Sequence, residues 1–121
     1  MKFKLEKIRS DASFREFFRL YKGKKTSVIV KARKEKFKNL ILYSAVNKFF
    51  RKNRVYAPKL ISKHFEEGLM EIEDLGKETL LNHVKKSRNK LNFYKKCIDI
   101  ILTIQKIRPI KKIKYSSNKY F

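Results

Sequence analysis

Ser10-Asp11-Ala12-Ser13-Phe14-Arg15-Glu16-Phe17-Phe18-Arg19 and, a few residues on, Thr26-Ser27-Val28-Ile29-Val30-Lys31 decide how this chain is read. The first stretch is a polar loop running into an alternating strand. The second is a β-branched strand ending in a lysine. Alternation over Phe14–Tyr21 sets Phe14, Phe18 and Leu20 on one face and Arg15, Phe17, Arg19 and Tyr21 on the other. On this reading Phe14 and Phe18 belong to the core and Phe17 is the exposed aromatic. Arg15 and Arg19 either face water or steer an anion. Lys22-Gly23-Lys24-Lys25 is a turn. Thr26–Arg33 is the most strand-like run, because β-branched side chains fit a pleated surface. Phe3–Ile8 alternates ahead of the loop, so the N-terminal third reads as three antiparallel strands in meander order.

Beyond Lys36 the period changes. Phe37, Leu40, Ile41, Ala45, Val46, Phe49 and Phe50 recur at helical spacing until about Asn53. Ala57-Pro58 ends that pattern, since a residue before proline is pushed out of the helical region. Lys59–Lys63 and Leu69–Glu73 read as a hairpin of two further strands around the turn Glu66-Glu67-Gly68. Asp74-Leu75-Gly76 stops the sheet. Thr79 is placed to cap a helix over Leu80–Lys86. A stronger helix opens at Asn89 or Asn92, carries Tyr94, Ile98, Ile101, Leu102 and Gln105 on its apolar face, and ends before Pro109. Residues 110–121 alternate weakly.

The 121 residues allow one modest core, and 42% hydrophobic content is enough to fold it. The net charge of +22 is extreme. Taken alone it points to nucleic acid or an anionic surface. The excess is nearly all lysine, however, and accompanies abundant Ile, Asn, Phe and Tyr, which share A/T-rich codons. A coding bias is therefore the favoured reading of the charge. The charge is spread along the chain rather than gathered in a tail. The acids are the uneven part: Glu66, Glu67, Glu71, Glu73, Asp74 and Glu78 fall close together and would repel nucleic-acid phosphate. A single cysteine, Cys97, excludes an internal disulfide, and on a helical apolar face it is expected to be a buried, inert thiol. The N-terminus lacks the apolar core of a signal peptide, and no apolar run approaches the roughly 18 residues of a span. A cytoplasmic location is the expectation.

Three stretches resemble one family. Ser10–Arg19 is similar to the opening loop and second strand of aminoglycoside phosphotransferase/choline kinase-like enzymes. It is closest to the bacterial branch that phosphorylates the cell-wall amino sugars N-acetylmuramate and N-acetylglucosamine, where the stretch commonly reads Gly-Asp-Ala-Ser-x-Arg-x-Tyr/Phe-x-Arg. Residues 68–80, GLMEIEDLGKETL, resemble that branch's hinge. Residues 55–62, VYAPKLIS, resemble the approach to its fourth strand. The resemblance covers roughly residues 8–108.

It implies an α+β fold: a kinase-like small lobe over residues 1–75, with a five-stranded antiparallel sheet and one helix, then the hinge exit and first helices of a large lobe over 76–121. It also implies ATP and Mg²⁺ as cofactors and an amino-sugar hydroxyl as acceptor. The family's His-Gly-Asp loop and later metal-binding residues are not in this sequence, and neither His64 nor His83 is followed by Gly-Asp. The resemblance therefore implies the N-terminal portion of such a kinase, with the metal ligands elsewhere. Two other readings stand beside it: a non-catalytic basic module that binds nucleic acid, and an inactive remnant.

The nucleotide-binding residues that the resemblance implies are these. Backbone amides of Asp11, Ala12, Ser13 and Phe14, with the Ser13 hydroxyl, would cradle phosphate, as a turn of exposed amides can; an ordinary polar loop is the plain alternative. Lys31 would pair with the α- and β-phosphates. Its usual partner, a glutamate on the following helix, is absent, and in the amino-sugar branch this strand often ends in a Met-Asp-Ala-Pro-like run instead. Ile29 would roof the adenine. Glu73, Asp74 and Leu75 would offer hinge backbone to the base, or Glu73 and Asp74 would be solvated charges balancing nearby lysines.

Overall fold

The computed structural model describes residues 2–9, 14–33, 37–108, 114–116 and 119–120. Its elements in chain order are β1 (Phe3–Ile8), β2 (Arg15–Lys22), β3 (Lys25–Ala32), α1 (Phe37–Lys52), β4 (Leu60–His64), β5 (Leu69–Glu73), α2 (Leu80–Lys86) and α3 (Lys90–Gln105), then two short strands, β6 (Lys114–Ser116) and β7 (Lys119–Tyr120). A 3-10 turn, Phe65–Glu67, joins β4 to β5. The fold is α+β. Strands β1 to β5 form one antiparallel sheet in the order β1-β2-β3-β5-β4. β6 and β7 make a separate antiparallel pair.

Two glycines carry the turns that make this order possible. Lys22 pairs with Lys25, so the β2–β3 connection is two residues long, and Gly23 takes φ 63° there. Only glycine does so without steric cost. Gly68, at φ 72°, closes the turn into β5. Its carbonyl accepts from Ala32 N–H at 2.8 Å, and a Cβ at this position would run into the Ala32 carbonyl oxygen. The close approach of β5 to the end of β3 therefore requires a residue with no side chain.

The register settles which way the sheet faces. Phe17 lies opposite Val30 and Arg19 opposite Val28, while Val28 and Val30 lie opposite Ile72 and Met70. These residues share one face, and α1 covers it. Val28, Val30 and Ala32 of β3, Leu40 of α1, and Met70 and Ile72 of β5 form the buried cluster, with Ile8, Phe17, Tyr43, Leu60 and Phe65 packed against it. The expected inward set on β2 is thus reversed. Phe17 meets the core, whereas Phe14 is 51% exposed and Phe18 only half-buried. Both faces of β2 carry aromatics, so alternation separated the faces without saying which one the helix covers.

The strand at 59–63 starts one residue later than the spacing suggests and carries a register shift between Leu60 and Ser62. α2 and α3 are capped as their sequences predict. Thr79 Oγ1 accepts from Asn82 N–H, and Asn89 Oδ1 from Asn92 N–H, each at 3.1 Å, which makes Asn89 the helix start. Neither helix buries any residue. Ile98, Ile101 and Leu102 are exposed as large apolar side chains, and Cys97 is half-buried rather than buried, because no core lies beneath α3. No helix among the described residues is long and apolar enough to cross a membrane.

Candidate functional site

The exit from β5 is the most strongly organised polar feature of the sheet. Arg19 projects from the middle of β2 onto the α1 side and is buried. Its Nε donates to Asp74 Oδ2 at 2.8 Å, and its Nη2 donates to Asp74 Oδ1 at 3.3 Å and to the Gly76 carbonyl at 3.0 Å. Asp74 Oδ1 also accepts from Gly76 N–H at 2.9 Å. The two side chains are only 9% and 6% exposed. A paired guanidinium–carboxylate fork of this kind is geometrically specific as well as strong. The hydrogen bonds from Arg19 hold the Asp74 carboxyl at about 2, and Asp74 in turn raises the Arg19 guanidinium. Asp74 is therefore an internal structural charge that ties the chain leaving β5 to β2, not a solvated one. Arg19 faces neither water nor an anionic ligand.

Glu73 lies on the opposite, open face. It accepts from the Tyr56 hydroxyl at 2.8 Å and from Lys59 N–H at 3.2 Å, with Arg51 at 3.8 Å. Those bonds, Tyr56 first, hold its carboxyl below the usual range. The Glu73 N–H is taken by the Lys59 carbonyl at 2.9 Å. Leu75 is exposed, and its N–H makes no hydrogen bond among the described residues. Of the three hinge positions, only Glu73 has its amide taken; the N–H groups of Asp74 and Leu75 both make no hydrogen bond among the described residues.

Glu71, which sequence reasoning passed over, forms a second polar node on the open face. It accepts from Ser27 Oγ at 2.6 Å, Ser62 Oγ at 3.1 Å and Lys22 Nζ at 3.1 Å. Burial pushes its carboxyl up, but the bonds from Ser27, Lys22 and Ser62 outweigh this and leave it lowered. The signal available in the sequence was the alternation of Glu71 and Glu73 with Met70 and Ile72 in this strand.

Ile29 and Lys31 alternate with Val28, Val30 and Ala32, and so they too belong to the open face. Lys31 is exposed, lies opposite Glu16 and Leu69, and forms no ion pair among the described residues. The side of β3 that looks toward α1 ends in Ala32 instead. Its neighbour across β2 is Arg15. Arg15 stands over the Tyr43 ring of α1, its guanidinium carbon 5.0 Å from the centroid. Arg15 and α1 residues Asn39, Leu42, Tyr43, Val46 and Asn47 enclose a concavity of about 280 Å³. Phe14 is an exposed residue at the mouth of β2. Asp11, Ala12 and Ser13 lie outside the described residues.

The side chains of the expected residues that the structure describes divide between the two faces of the sheet. Ile29, Lys31 and the Glu73 side chain share the open face, whereas the Asp74 side chain turns to the α1 side. Among the described residues no cluster of His, Cys, Asp or Glu is arranged to hold a metal ion. No family model, curated protein or solved structure matches the chain.

Proposed function

We propose that the chain is the nucleotide-binding lobe of an ATP-dependent phosphotransferase acting on a small-molecule hydroxyl, that of an amino sugar. The observation that carries this reading is the strand order β1-β2-β3-β5-β4 with a single helix between β3 and β4, leading through a pinned exit into helices. This is the order of a kinase small lobe. Its exit is the Glu-Asp-Leu-Gly segment in which a hinge would present backbone to adenine.

The residues present fit part of such a site. Leu75 N–H is open at the exit, and Arg19 and Asp74 hold that segment against the sheet. Mg²⁺, when bound with the nucleotide, would neutralise charge on the transferring phosphoryl group. The described residues supply no ligand set for it, so the contribution of this chain is binding and orientation. A cation that pairs with a group on α1 must lie on the α1 side of the sheet, and Lys31 does not.

The test is thermal unfolding of the full chain with ATP or adenosine added at saturating concentration. A ligand at a hundred times its Kd stabilises by about 2.7 kcal/mol. The expected result is a rise in Tm with both ligands. No rise with either would remove the reading. The net charge of +22 favours one competing reading, a nucleic-acid-binding module. That reading predicts tight oligonucleotide binding whose affinity falls steeply with salt.

A further inference from the structure

We infer that β1 is a self-association edge: two copies of this chain pair their β1 strands antiparallel about a two-fold axis at Leu5, joining the two sheets into one.

β1 stands at one end of the sheet order and is paired on one side only, with β2. A strand so placed presents a row of backbone N–H and C=O groups on its other side, a template for a further strand. The two ends of this sheet differ. Ala57-Pro58 leads into β4, and a register shift interrupts β4 between Leu60 and Ser62. Both features blunt an edge. β1 keeps unbroken register with β2 from Phe3 to Ile8 and contains neither glycine nor proline. Its apolar side chains Phe3 and Leu5 are 63% and 55% exposed, on the open face, with Leu5 opposite Leu20. A second β1 alongside would cover part of both.

The charges select the partner and the register. Lysines on an edge strand ordinarily keep other strands away. In β1 they are matched by Glu6. Backbone groups turn alternately to one edge of a strand and the other, so in an antiparallel self-pair the opposed residues are both odd or both even in number. Pairing centred on Lys4 sets that lysine against its own copy, and pairing centred on Glu6 does the same with the carboxylate; both are repulsive. Pairing centred on Leu5 sets Leu5 against Leu5, Lys4 against Glu6 on each side of the axis, and Phe3 against the aliphatic stem of Lys7. In that register the strand is complementary to itself, as a two-fold interface requires. Tyr21 steadies the two charges: Lys4 Nζ lies 5.7 Å from its ring centroid, and its hydroxyl donates to Glu6 at 3.4 Å. An ammonium has three donors and a carboxylate several acceptor sites, so both keep capacity for a partner. The net charge of +22 on each copy opposes association. One strand pair is also a small contact, so the dimer is weak and forms where salt screens the long-range repulsion.

The test is sedimentation equilibrium of the full chain at about 0.15 M salt and up to about 1 mM protein. Wild type is compared with Lys4→Glu, Glu6→Lys, the double exchange, and an equimolar mixture of the two single variants, each checked for native circular dichroism. Wild type should show a monomer–dimer equilibrium. Each single substitution opposes like charges on both sides of the axis and should weaken the dimer about tenfold or more. The double exchange should restore it. The mixture should form a heterodimer, because each strand then meets opposite charges. Lys4→Glu separates this edge from overall charge, since it lowers the net positive charge and would strengthen an association limited by general repulsion.

A wild type that stays monomeric over the whole range would overturn the inference. So would strengthening by Lys4→Glu, a mixture that does not associate, or a dimer indifferent to β1 and lost instead with Ile98→Lys on the exposed face of α3.

Discussion

Arg19 and Asp74 are where a single side chain matters most. Both are almost fully covered, so removing one leaves the other charge buried without its partner. Breaking such a pair costs about 3–5 kcal/mol. Arg19→Met and Asp74→Asn should each lower the unfolding free energy by about that amount, as read from the denaturation midpoint; a change under about 1 kcal/mol would mean the pair is solvated in solution. The pH dependence has a definite sign. The Asp74 carboxyl is depressed from 3.8 to about 2 in the folded chain. Its contribution, about 2 kcal/mol, is fully present above pH 4 and is lost as the pH falls through 2. Wild type should therefore destabilise over that window more steeply than Asp74→Asn, in paired denaturation curves at successive pH values. Neither residue's role was legible in the sequence. Arg19 read as a surface cation because it alternates with aromatics, and only the register opposite Val28 shows that it points into the covered face.

The elements themselves were legible. β-branched residues over 26–32, helical spacing over 37–52 and the side-chain caps Thr79 and Asn89 each mark a local preference that the fold keeps. What could not be read was which face of β2 meets α1, because that is a tertiary choice between two faces of similar hydrophobicity. Lys31 shows the consequence: the same one-residue alternation that buries Val30 and Ala32 sends Lys31 to the opposite side. The join between β3 and β5 depends on one position. Gly68→Ala would add both a strained backbone at φ 72° and a collision with the Ala32 carbonyl. A loss of about 2–4 kcal/mol is expected, since each such defect costs on the order of 1–3 kcal/mol. Gly23 is the control. It shares the positive φ, but a Cβ there meets nothing within 4 Å, so Gly23→Ala should cost about 1 kcal/mol. Equal costs at the two glycines would contradict the close approach of the strands.

At the scale of the molecule, the sheet has one covered face and one open face, and the two have different chemistry. The covered face carries Arg15, Tyr43, the apolar strip of β3 and β5, and the Arg19–Asp74 tie. The open face carries Phe3, Leu5, Ile29, Lys31 and the Glu71 node. On the proposed function, the base of the nucleotide would lie at the β5 exit. The resemblance in the sequence singles out two segments, the loop before β2 and the exit after β5. It could not distribute their side chains between the faces.

The most direct measurement is residue-resolved hydrogen exchange of the full chain with and without ATP. Leu75 N–H makes no hydrogen bond among the described residues and should exchange quickly in the free chain. The expected result is that ATP slows this amide by about tenfold or more while leaving the edge strand β1 unchanged. Binding of ATP with no protection at Leu75, or with protection scattered over the lysine-rich surface, would contradict it.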